Sequence, residues 1–175
     1  MSGSMTTLLI DAARLLIFPA VMAFAASSDF FTMTISNRIS LILVAGFVAL
    51  AVGTGMPLAE MLNHAGAGGL VLAVTFTFFL CGWVGGGDAK LASATALWFG
   101  WAHLLDYLLY ASILGGVLTF ALIEFRKFSM PSVLVGKEWA ERLHKPGGGV
   151  PYGIALAIAA LVVYPSTIWM QALGQ

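Results

Sequence analysis

Six apolar runs, at approximately 6–26, 39–56, 66–84, 89–103, 104–125 and 152–173, leave this chain few ways to fold. About 20 apolar residues in a helix cross the ~30 Å hydrocarbon core of a bilayer. Inside lipid, backbone N–H and C=O groups have no water to bond, so a spanning segment satisfies them internally as a helix. The 175 residues are 60% hydrophobic and only 9% charged, far from the make-up of a soluble domain. The expectation is an all-α, polytopic membrane protein with about six transmembrane helices, forming a single integral membrane domain over 1–175.

Composition also excludes several classes. Net charge is zero and no basic block is present, which argues against a nucleic-acid partner. The lone Cys81 rules out an intramolecular disulfide and a four-cysteine zinc site, and inside an apolar run it reads as a packing residue. Ala23-Phe24-Ala25 has the look of a signal-peptide cleavage site. However, Asp11 precedes the first basic residue, Arg14, which is the wrong charge order for a secretory signal.

The fourth and fifth runs need a decision, because only His103 and Asp106 separate them. Their 37 residues make about 55 Å of helix, too long for one crossing. Charge placement favours two crossings. Arg38, Lys90, Arg126, Lys127, Lys137, Arg142 and Lys145 then share one side, seven of the eight basic residues. The opposite connections, 57–65 and around 103–106, carry Glu60, His64, His103 and Asp106 but no Lys or Arg. Basic loops stay in the cytosol, so this topology puts both termini outside.

The segment at about 126–150 is an interfacial cytosolic element. Within it Val135, Trp139 and Leu143 recur every four residues, and Glu138/Arg142 and Glu141/Lys145 are spaced as i,i+4 pairs. It reads either as a short amphipathic helix on the membrane surface with Trp139 as anchor, or as a solvated loop. Pro146-Gly147-Gly148-Gly149-Val150-Pro151-Tyr152-Gly153 then leads flexibly into the last helix.

Against so little charge, Asp29 and Asp88 stand out. Each sits at the mouth of an apolar helix, and the topology places both on the cytosolic side. An ionised group at the bilayer centre costs at least ~2.5–3.5 kcal/mol, so such acids default to a functional reading. Each also has a bland alternative. Asp88 follows Gly85-Gly86-Gly87, where it would cap a helix, and Asp29 follows Ser27-Ser28 as a turn residue. Three glycines exceed what a cap needs and would let a substrate backbone approach the acid. Two close carboxyls share a proton: one activates water, the other protonates the substrate carbonyl.

At this point the residues resemble a known family. Gly85-x-Gly87-Asp88 is similar to the G-x-G-D signature of intramembrane aspartic proteases, and Asp88-Ala89-Lys90-Leu91 resembles the prepilin peptidase branch. Asp29 followed by Ile35-Ser36-Asn37-Arg38 resembles that family's first site, where Pro usually stands at position 36, and Pro151-Tyr152-Gly153 resembles a third motif. The resemblance implies catalytic Asp29 and Asp88, no cofactor or metal, and a prepilin or pilin-like precursor as partner, cut after its short leader at the cytosolic face. Longer family members also methylate the new N-terminus and carry a cysteine-rich domain between the first two helices. Here about ten residues stand in that place, which resembles the peptidase-only form of Flp-type, tight-adherence pili. Phe30-Phe31-Thr32-Met33-Thr34 replaces basic residues often found before Asn37.

Supporting roles are assigned to Lys90, which either holds Asp88 ionised, binds substrate or snorkels to the interface, and to Asn37. Asp11 and Arg14 are spaced to pair, and Trp83, Trp98 and Trp101 suit interfacial belts. The rival reading is a non-enzymatic transporter or pilus-assembly subunit, whose acids would lie deep in broken helices.

Overall fold

The structure, a computed structural model, describes residues 2–173, with side chains from Met5 onward. All of its regular elements are helical. Helix α1 (Ser2–Thr32) is 31 residues long and runs through Pro19 without ending. It stops at Met33, whose φ of 52° is left-handed and whose N–H still reaches Asp29 O at 2.8 Å. Ser28 Oγ donates to Thr34 O at 2.9 Å and Thr32 Oγ1 to Ser28 O at 2.7 Å, which fastens this exit turn. Asp29 therefore lies inside the last turn of α1 and not in the loop after it.

Helix α2 (Asn37–Gly53) begins at once, capped by Ser36, whose side chain accepts from Arg38 N at 3.3 Å. Ser36 thus acts as an N-cap for α2. Helix α3 (Leu58–Leu80) follows Pro57 and closes at Cys81 and the left-handed Gly82. Glu60 and His64, expected in an outer connection, are part of α3, and His64 is buried. Cys81, expected as a packing residue, is exposed at the helix end.

Helix α4 (Gly86–Lys127) is 42 residues long but is broken at Gly100, where φ is 59° and ψ −169°. The second limb returns beside the first. Phe99 and Tyr107 have ring centroids 5.2 Å apart. Thr119 lines the same cavity as Asp88, although 31 positions of straight helix would separate them by about 46 Å. The sequence pattern points to a turn at His103–Asp106; it occurs three residues earlier, at Gly100, because glycine alone fits. The dihedral needs it, and a Cβ at Gly100 would meet the His64 ring at 3.1 Å. A break also strips carbonyls of their i+4 partners. Leu97 O accepts from His64 Nδ1 at 2.8 Å and Trp98 O from Trp169 Nε1 at 2.8 Å.

Four segments are long and apolar enough to cross a bilayer: Met5–Thr32, Leu58–Leu80, Gly86–Lys127 and Tyr152–Gln171. The expected count of about six is not reached by this measure. Helix α2 is apolar but has only 17 residues, and the fourth and fifth runs form one folded element.

The remaining α-helices are α5 (Glu138–His144), α6 (Tyr152–Val163) and α7 (Ile168–Gln171), with short 3-10 turns at Ser132–Leu134 and Tyr164–Ser166. Helix α6 is central, with Ala155, Ala157, Ala159 and Ala160 buried; small side chains let neighbouring helices approach closely where lipid offers no hydrophobic drive. Trp98, expected at an interface, is fully buried. It packs on Phe18 at 5.0 Å and donates from Nε1 to Leu43 O at 2.9 Å. Trp83 and Trp101 are exposed.

Candidate active site

Asp29 and Asp88 come from the last turn of α1 and the first turn of α4, and the packing brings them to one cavity of about 830 Å³. The wall includes Met33, Trp83, Thr119, Val150 and Tyr152. Asp29 is only 4% exposed, and its Oδ2 accepts the Gly153 N–H at 2.7 Å. Asp88 Oδ1 is buried without a hydrogen-bond partner among the described residues. One carboxylate oxygen is thus held by the α6 N-terminus, while the other acid keeps an unused acceptor next to the cavity.

The three glycines lie in close contact with the protein's own packing. A Cβ at Gly85 would lie 2.8 Å from Asp88 Oδ2, one at Gly86 3.2 Å from the Phe79 ring, and one at Gly87 3.0 Å from Ile35 Cβ. Gly87 in particular allows the α1–α2 link to lie against the start of α4, which draws Asp29 toward Asp88. Gly85, Gly86 and Gly87 also line a smaller recess of about 260 Å³ that contains both acids.

Pro151-Tyr152-Gly153 opens α6, as the sequence indicated, and does so beside the acids. Gly153 has no room for a side chain: a Cβ would approach Ile35 Cδ1 at 2.5 Å and Asp29 Oδ2 at 2.8 Å. The Tyr152 hydroxyl lies directly over Gly115 on the second limb of α4, in space a Cβ there would occupy.

Lys90 and Asn37 are brought together, but in a different place. Lys90 Nζ donates to Asn37 Oδ1 at 2.8 Å, and both line a separate groove that contains neither aspartate.

Sequence reasoning missed Arg126. Its Nε donates to Leu143 O at 2.8 Å, and its terminal nitrogens to Gly148 O at 2.9 Å and Gly149 O at 2.7 Å. One guanidinium thereby ties the end of α4 to α5 and to the glycine segment that delivers Gly153. A basic residue after an apolar helix carries no sequence signal beyond membrane orientation, since its acceptors here are backbone carbonyls. The segment 126–150 contains a short helix, α5, as one reading held. Trp139, however, packs against Phe30 (ring centroids 5.1 Å apart, tilted) and edge-on to Phe31 (6.4 Å), next in sequence to Asp29. Glu138 and Arg142 approach to 3.9 Å, whereas Glu141 accepts from Gly136 N at 3.0 Å and not from Lys145. Asp11 and Arg14 pair at 3.1 Å, as spaced.

Helices long and apolar enough to cross a bilayer, with two carboxyls lining one cavity at the helix ends, are consistent with a helical membrane protein. A model of the type IV leader peptidase family matches residues 16–120, more than half of the chain and including both aspartates. The chain belongs to that family. Among curated proteins and among solved structures, no match was found.

Proposed function

We propose that this protein is an aspartic endopeptidase that removes the short leader from type IV, Flp-like prepilins, with Asp29 and Asp88 as its catalytic pair. The observation that carries the reading is the convergence of these two acids, 59 positions apart, on one cavity inside a leader-peptidase family match. The pair holds one proton between its two carboxyls, since like charges at close range disfavour double ionisation. The ionised member takes a proton from water as the oxygen attacks the scissile carbonyl carbon. The protonated member donates to the carbonyl oxygen. Collapse breaks the C–N bond, the amine leaves with a proton from the pair, and the leader departs with a new carboxyl group. The Gly153 N–H fixes Asp29 throughout, and the tight Gly87–Ile35 packing holds the two helix ends together.

The basic residues support a cytosolic site in a bacterial inner membrane, with the precursor's apolar helix in the bilayer beside the enzyme. Residues 33–36 alone join α1 to α2, which supports a peptidase-only form without N-methylation.

The test is co-expression with a Flp-type pilin precursor. Asp29→Asn and Asp88→Asn are each expected to slow cleavage by roughly 10²–10⁴-fold, and the double variant no further, because the acids act as a unit. Wild-type processing by either single variant would refute the dyad. If the wild-type protein leaves every pilin-like precursor intact, the transporter or assembly reading takes its place.

A further inference from the structure

The groove that holds Lys90 is separate from the acidic cavity and has a chemistry of its own. It encloses about 360 Å³ between α2, α3 and the first limb of α4. Its mouth is polar: Lys90 Nζ, Asn37 Oδ1 bonded to it, and Ser40. Ser40 is 9% exposed, and its hydroxyl is buried with no hydrogen-bond partner among the described residues. No carboxylate lines the groove, so the Lys90 ammonium meets only a neutral amide there. Asn37 is also the first residue of α2, whose dipole favours an anion at that end. Beyond the mouth the wall turns apolar, with Leu41, Val44 and Leu72 open to the bilayer.

A positive mouth, an unsatisfied hydroxyl and a lipid-facing apolar trough match one molecule with a charged head and a hydrocarbon tail. We infer that this groove is a binding site for an anionic phospholipid, its phosphate held by Lys90, Ser40 and the start of α2 and an acyl chain along Leu41, Val44 and Leu72. Basic pockets between membrane helices recognise lipid headgroups in this way. A basic leader peptide would be repelled from the same mouth.

The full chain, purified in a neutral detergent, is titrated with phosphatidylglycerol or phosphatidylcholine, and bound lipid is counted by native mass spectrometry. Phosphatidylglycerol is expected to be retained in preference to phosphatidylcholine. Lys90→Gln should lower its occupancy about fivefold, the worth of one cation near an anionic headgroup. Ser40→Val and Val44→Trp should lower it also, while Lys127→Gln, an exposed lysine paired with Glu124, should not. Inorganic phosphate should fail to displace the lipid. Equal retention of both lipids, or unchanged retention in Ser40→Val and Val44→Trp, overturns the proposal whether or not Lys90→Gln folds. So does displacement by inorganic phosphate, which would leave the trough without a role. A Val44→Trp variant that keeps its lipid yet cleaves precursor slowly would assign the trough to the precursor helix instead. The readout needs no turnover, so it stands apart from the outcome for the aspartates.

Discussion

The Gly153 N–H donates to Asp29 Oδ2 at 2.7 Å across 124 positions of sequence. This bond ties the first helix to the last membrane helix at the acidic cavity, and it depends on residue 153 having no side chain.

Gly153→Ala would force a methyl group against Ile35 Cδ1 and Asp29 Oδ2. Over-packing of this kind costs about 1–3 kcal/mol. Thermal unfolding in detergent should fall accordingly. Precursor cleavage should drop by at least about tenfold because Asp29 moves. Wild-type cleavage by Gly153→Ala would show that the bond is not needed for activity.

Arg126 acts on the site through the chain it holds. Arg126→Ala releases the carbonyls of Leu143, Gly148 and Gly149 together. Turnover of precursor should fall about tenfold with KM changed less, since the loss is in the placement of Gly153 and Val150. Arg126→Lys keeps the charge but not the fork, and should recover only part of the rate. Limited proteolysis should find new cleavage at 145–150 in the alanine variant. Full activity with intact protection would remove Arg126 from the positioning role.

Gly115 and Tyr152 occupy one space. Gly115→Ala should expel the Tyr152 ring from the cavity wall and reduce both stability and cleavage. Adding Tyr152→Leu should restore the melting temperature by making room. If the double variant also regains wild-type cleavage, the Tyr152 ring has no part in shaping the cavity.

At Gly100 the left-handed dihedral and the His64 ring both exclude a side chain. Gly100→Ala should lower stability by about 1–3 kcal/mol from the dihedral alone, more with the clash. His64→Ala in the same chain removes the clash but leaves Leu97 O without its donor, so it should rescue little. Unfolding midpoints of the two single variants and the double decide this.

Much of the site was legible because it rests on local chemistry. An acid beside lipid is rare enough to mark Asp29 and Asp88, and glycines at 85–87 and Pro151-Tyr152-Gly153 mark places where backbone must come close. The turn between the two limbs of α4 was not placed correctly. Gly100 stands in an apolar run with no proline or polar cluster, and only the position of His64 shows that its missing side chain matters. Trp98 was assigned to an interface by residue type, yet its indole N–H finds Leu43 O in the core, which no pattern within its own helix encodes.

By itself, the sequence determined that the chain is helical and suits a bilayer, because apolar runs of this length cannot leave their backbone groups unbonded in lipid. It also singled out the two acids. Tertiary structure decided what they face. Side-chain-free approaches at Gly87, Gly115 and Gly153 bring α1, α4 and α6 together, and one guanidinium pins the glycine segment. Those contacts join residues from 22 to 124 positions apart, at distances set by packing rather than by any local periodicity.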